Sequence, residues 1–182
     1  MQNQLLKNKL NRAFKHLDVD GNGYAEHEDL LKLAARLMAG FHIDPASSKG
    51  QKLLNTSERY WQAMVAAADL DGDRRLSPEE FRAGMTGAFV ETDGGFERNF
   101  RPLVQAAMDI ADTDGDGVLS FPEFEIFQHA VHTPDDLIPQ AFKHLDRDKS
   151  GTLTVDELVE AARDFYTSTD ESATGNWMYG PL

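Results

Sequence analysis

The sequence predicts an all-α protein of four helix-loop-helix units, taken in two pairs and packed into one compact unit, with a short two-stranded β-link between the loops of each pair. Three observations carry that reading. Ala13-Phe14-Lys15-His16-Leu17-Asp18 recurs letter for letter as Ala141-Phe142-Lys143-His144-Leu145-Asp146, the mark of an internal repeat. Four acidic loops of one design begin at Asp18, Asp69, Asp112 and Asp146. On either side of the loops apolar residues recur every three or four positions, the period of an amphipathic helix.

The helices can be placed in order. Leu6, Leu10, Phe14 and Leu17 lead into the first loop, and Leu30, Leu33, Ala34 and Leu37 lead out of it. Trp61, Met64, Val65 and Ala68 enter the second loop; Phe81, Met85 and Phe89 leave it. Phe100, Leu103, Val104, Ala107, Met108 and Ala111 enter the third, and Phe124, Phe127 and Val131 leave it. The second copy of the repeat enters the fourth, followed by Leu158, Ala161, Ala162 and Phe165. Each series lines one helix face and marks the side to be buried. Thr133-Pro134-Asp135-Asp136 reads as a helix start, with a cap, a first-turn proline and two acids at the positive end of the dipole. Pro78 and Pro122 fall late in their loops, where an exiting helix begins and its amides have no helical partner. The pairs are expected at residues 1–92 and 93–182, the first stretched by extra sequence around Gly40-Phe41-His42-Ile43-Asp44-Pro45, the second followed by an aromatic tail.

Each loop carries oxygen-bearing side chains at its positions 1, 3, 5, 9 and 12. Asp-Gly and Asn-Gly are also common turn dipeptides, so one such loop is readily a solvated acidic turn. Four copies between amphipathic helices favour a cation, because clustered like charges destabilise a fold unless something neutralises them. Calcium takes about six to eight oxygens at roughly 2.3 to 2.6 Å, and a short loop surrounds it only by turning sharply. The pattern resembles the EF-hand calcium loop, in which position 7 gives its backbone carbonyl and the position-12 acid closes the cage from the exiting helix. The assignments that follow are Asp18, Asp20, Asn22, Tyr24 by its carbonyl and Asp29 in loop one, with Asp69, Asp71, Asp73, Arg75 by its carbonyl and Glu80 in loop two. Loop three offers Asp112, Asp114, Asp116, Val118 by its carbonyl, Ser120 through a water and Glu123. Loop four offers Asp146, Asp148, Ser150, Thr152 by its carbonyl, Thr154 through a water and Glu157. Position 8 suits a short strand, pairing Leu119 with Leu153 and Ala25 with Leu76.

The loops are unequal. Asp29 is one methylene shorter than the usual Glu, which makes a bidentate reach harder and a six-coordinate, magnesium-tolerant site expected. Loop two has Arg74 where glycine gives the left-handed turn, at a cost of about 1 to 2 kcal/mol, and Arg75 adds a second positive charge. That loop is expected to be weak or empty and loops three and four the tightest, for three or four calcium ions in all.

Composition narrows the partners. The 182 residues contain 31 Asp plus Glu against 18 Lys plus Arg, a net charge of −13, which repels nucleic-acid phosphate and anionic lipid. Three bound calcium ions would bring that charge to −7 and four to −5, coupling binding to folding. Cysteine is absent, which excludes disulfides and thiolate sites. The N-terminal ten residues hold no apolar run long enough for a signal-peptide core and no apolar segment approaches the ~20 residues of a membrane helix, so a cytoplasmic monomer is expected, with no membrane insertion.

Four such loops with a long first spacing and an aromatic tail resemble the sarcoplasmic calcium-binding proteins and bacterial calerythrin, within the calmodulin superfamily. The resemblance implies compact calcium buffers or modulators, often with one degenerate hand, for which loop two is the counterpart. Met38, Met64, Met85 and Met108 are scattered over different helices instead of forming the Met-rich groove of a sensor. The tail Trp177-Met178-Tyr179-Gly180-Pro181-Leu182 is expected to fill the groove that a target helix would need. The alternative is a sensor that exposes this groove and binds a target protein. An enzyme is not expected: His129 and His132, three apart on a predicted helix, lack a third ligand, His16 and His144 read as packing residues, and no catalytic residues are assigned.

Overall fold

A computed structural model describes residues 4–87 and 94–179. Phe89, the boundary expected at residues 92 and 93, and the end of the tail from Gly180 lie outside the described residues.

The described residues form nine α-helices and one small sheet. The order is α1 (Gln4–Leu17), α2 (His27–Gly40), α3 (Ser48–Ala68), α4 (Pro78–Gly84), α5 (Gly95–Asn99), α6 (Arg101–Ala111), β1 (Leu119–Ser120), α7 (Phe121–Ala130), α8 (Ile138–Leu145), β2 (Thr152–Leu153) and α9 (Val155–Thr167), then a 3-10 turn at Thr174–Trp177. Every exiting helix starts from the same local device. The backbone amides of Glu26, Ser77, Ser120 and Thr154, at loop position 9, donate to the position-12 acids Asp29, Glu80, Glu123 and Glu157 at 3.0, 2.9, 2.9 and 2.9 Å. Position 9 thus caps the helix while position 12 closes a capping box, so one pair of residues both ends the loop and starts the helix. Pro78 and Pro122 occupy the first turns of α4 and α7, as expected.

Two helix readings are corrected. Thr133 does not start a helix: α8 begins at Ile138 after a turn, and the buried Thr133 hydroxyl donates to Gln128 Oε1 at 2.5 Å. His132 does not share a helix with His129, because α7 ends at Ala130 and His132 has φ 62; His129 pairs instead with Asp135 at 3.1 Å. The series before loop three is also split. Pro102, in the first turn of α6, has no amide to continue a helix from α5, and Phe100 caps the junction from the core.

Strands β1 and β2 are antiparallel, with Leu119 opposite Leu153 and Ser120 opposite Thr152. In the first pair the link shrinks to one bridge, Ala25 with Leu76, exchanging both amide bonds at 2.9 Å. Alanine packs little surface across a strand pair, and all four of these residues are fully buried.

Both apolar clusters draw on both pairs. One gathers Leu10, Phe14, Trp61 and Phe81 with Phe100 and Phe165; the other gathers Leu37 and Leu53 with Ile110, Phe124, Ile138 and Leu153. The loops therefore sit on one shared interior. The buried Lys9 ties α1 to the end of α9, its ammonium donating to Ser168 O at 2.9 Å, where a helix leaves carbonyls unpaired.

The tail is packed. Trp177 stacks on His144 with ring centroids 4.1 Å apart, and Tyr179 stacks on His16 at 4.9 Å while its hydroxyl meets that of Tyr166 at 3.0 Å. His16 and His144 are equivalent residues of the sequence repeat, so the tail clips the incoming helices of the first and fourth loops in the same way. Gly175 makes this approach feasible, since a Cβ there would lie 2.2 Å from Ala161 O of α9.

Candidate metal centres

In all four loops backbone amides hold the acids in place. The position-6 amide donates to the position-1 carboxylate at 3.0 Å in each: Gly23 to Asp18, Arg74 to Asp69, Gly117 to Asp112 and Gly151 to Asp146. The position-5 amide donates to the position-3 acid, and the position-7 amide to the position-5 side chain, as from Asp116 to Asp114 at 3.2 Å and from Val118 to Asp116 at 3.0 Å. The chain thus curls around a centre, with oxygens presented inward by hydrogen bonds that water would otherwise take.

The result is four groups of carboxylates, in each of which one oxygen per residue lies within 4.8 Å of the others. Loops one, three and four bring positions 1, 3 and 12 together: Asp18, Asp20 and Asp29; Asp112, Asp114 and Glu123; Asp146, Asp148 and Glu157. Loop two brings positions 1, 3 and 5 together, Asp69, Asp71 and Asp73, without Glu80. Hard oxygen donors in a small space suit a hard cation such as calcium or magnesium.

Glu at position 12 has a second task. Its other oxygen accepts from the position-2 amide, Leu70 to Glu80 at 3.1 Å, Thr113 to Glu123 at 2.8 Å and Arg147 to Glu157 at 3.1 Å, latching the exiting helix to the start of the loop. In loop three the Thr113 hydroxyl joins in at 2.6 Å. Burial pushes the Glu123 carboxyl up, but hydrogen bonds from the hydroxyls and amides of Thr113 and Ser120 outweigh it and hold its pKa at about 2. Position 2 carries no conspicuous sequence signal, and its part in the site was not foreseen.

Backbone conformation follows the expected pattern and adds to it. Gly23, Gly117 and Gly151 take φ 89, 85 and 84 at position 6, and Arg74 is held at φ 62 with the same amide bond. Position 4 is left-handed as well, which the sequence reading missed: in loop four Lys149 bears that strain at φ 60. The loop-two turn therefore survives its arginine. What distinguishes that loop is Arg75, whose Nε and Nη2 bind Asp73 Oδ2 at 3.1 and 2.9 Å while its guanidinium lies 4.6 Å from the Tyr24 ring of loop one.

Comparison with known proteins agrees with this geometry. The EF-hand domain pair matches residues 7–86 and 58–128, and the EF-hand domain matches residues 140–168. The chain belongs to the EF-hand family. It is 28% identical to calerythrin of Saccharopolyspora erythraea over 91% of this chain and 94% of that one. It is 29% identical to the luciferin-binding protein of Renilla reniformis, over 96% and 92% of the two chains. A solved calcium-binding protein of Streptomyces coelicolor, described in terms of prokaryotic calcium-mediated regulation, superposes with TM-score 0.80 at 33% identity, covering 91% of this chain and 99% of that one. This EF-hand protein is accordingly a calcium-binding protein. Among the described residues no helix is long and apolar enough to cross a membrane.

Proposed function

We propose that this EF-hand protein is a calcium buffer or modulator that keeps its interior closed, working as a cytoplasmic monomer. The observation that carries the proposal is the tail, whose Trp177 and Tyr179 are seated on both repeat histidines and against α9. A sensor needs that apolar surface free for a target helix. The ligands are those assigned above, loops three and four holding calcium most tightly. Loop one, closed by an aspartate, is shared between calcium and magnesium. Loop two is weak or empty, because Arg75 engages Asp73. Binding of the hydrophobic dye ANS tests the closed interior. No calcium-dependent rise in dye fluorescence is expected; a strong rise would overturn the buffer reading in favour of a sensor that exposes its groove to a target protein.

A second reading rests on a separate observation. A partly open apolar cavity of about 220 Å³ has Leu37, Leu103, Met108 and Phe127 on its wall beside Tyr166 and Tyr179. Cavities lined by apolar and aromatic groups with a few polar atoms suit small organic ligands. Since a relative of similar length is named for binding luciferin, this reading makes the chain a calcium-controlled carrier of a flat aromatic molecule. A fluorescent aromatic probe that binds one per chain and leaves on adding calcium would support it, and a probe that does not bind would refute it.

A further inference from the structure

We propose that Lys32 is an affinity-setting residue of loop one: a tethered ammonium that competes with the cation and must be displaced for the loop to fill. The inference rests on reading loop one as a cation site. In the other three loops the position-12 glutamate latches to the position-2 amide. Asp29 is a methylene shorter: one oxygen keeps the position-9 amide of Glu26, and the other bonds Lys32 instead of a position-2 amide. Lys32 fills the gap. Its Nζ lies 3.0 Å from Asp20 Oδ2 and 3.4 Å from Asp29 Oδ1, joining loop positions 3 and 12, the two acids that with Asp18 make up the loop-one group.

The arrangement is peculiar to this loop. Lys32 stands three residues after position 12, one turn along α2, where helix periodicity aims it back at the loop. The equivalent residues after loops two, three and four are Ala83, Ile126 and Glu160, none of them a cation. Asp29 is buried and Lys32 reaches it from a side chain 40% exposed, so the ammonium has room to swing into water when a divalent ion takes its place. Calcium binding at loop one then releases an ion pair that loops three and four do not have to break. The loop fills at a higher calcium level than loops three and four, for a reason separate from the short reach of Asp29.

The test uses the full chain. The Gly23 amide, bonded to Asp18, reports loop one in ¹H–¹⁵N spectra recorded during a calcium titration. In Lys32→Met, which keeps most of the apolar stem, the midpoint of the Gly23 shift is expected about tenfold lower, the effect of removing one charge beside a divalent ion near the surface. Lys32→Arg keeps the competitor and is expected to stay within about twofold of the parent chain. An unchanged or higher midpoint in Lys32→Met would overturn the proposal. A Gly23 signal that ignores calcium in both parent and Lys32→Met would overturn it through the underlying reading of loop one, a distinguishable failure. Acetylation by acetic anhydride, followed by mass spectrometry and normalised to Lys52, gives a second readout. Lys32 is expected to react several-fold faster with calcium than in chelator, and equal rates would count against displacement.

Discussion

Replacing Arg74 by glycine separates two effects that the sequence alone confounds. Arg74 sits at φ 62, a region costing a residue with a Cβ about 1 to 2 kcal/mol, yet its amide binds Asp69 at the same 3.0 Å as the glycine amides of the other loops. The strain is therefore already present before any cation binds, so relieving it changes stability and not affinity. Glycine also loosens the unfolded chain, offsetting about 0.4 to 1 kcal/mol of the gain. The net stabilisation of Arg74→Gly in chelator is about 0.5 to 1 kcal/mol, which is about 1 to 4 °C for a chain of this size. Affinity changes through charge: one positive charge fewer near a divalent ion, largely in solvent, is worth a factor of about five to ten. Thermal unfolding in chelator and calcium calorimetry read the two separately. Lys149→Gly, at φ 60 in loop four, serves as the control for strain outside loop two. If Arg74→Gly alters neither the melting temperature nor the loop-two affinity, both the strain and the charge arguments fail.

Further outcomes follow from the same structure. Removing calcium with a chelator is expected to lower the melting temperature by many degrees, since four carboxylate clusters and a net charge of −13 are left to repel; equal melting curves would refute that coupling. Leu153→Ala, a fully buried partner in the β1–β2 link, should cost about 2 to 5 kcal/mol in chemical denaturation and weaken loops three and four together, whereas a loss confined to loop four would show that the link does not couple them. Gly175→Ala drives a methyl group against the α9 backbone and should release the tail, read as ANS binding without calcium; a silent variant would mean that the tail does not close the interior.

Much of this was legible because position matters more than composition in such loops. The letter-for-letter repeat, the oxygen spacing and the apolar period each pointed to the same fold, and pairing through Ala25, Leu76, Leu119 and Leu153 was readable from position 8 alone. The left-handed residue at position 6 was readable from three glycines and one exception. Position 4 carried the same signal in Gly21, Gly72 and Gly115, and Lys149 takes the left-handed turn there without a glycine. Thr133 misled because its cap signal was genuine in kind, but its hydroxyl bonds Gln128 instead. The latch to the position-2 amide leaves no trace in side-chain chemistry, since any residue donates there. Lys32 was invisible because helix geometry, not loop spacing, carries it back to Asp20 and Asp29.

The most direct test is calcium titration calorimetry with and without magnesium. At least three calcium ions per chain are expected, with one site that magnesium occupies and calcium regains at higher concentration. Fewer than three ions, or a titration that magnesium leaves untouched, would contradict that expectation.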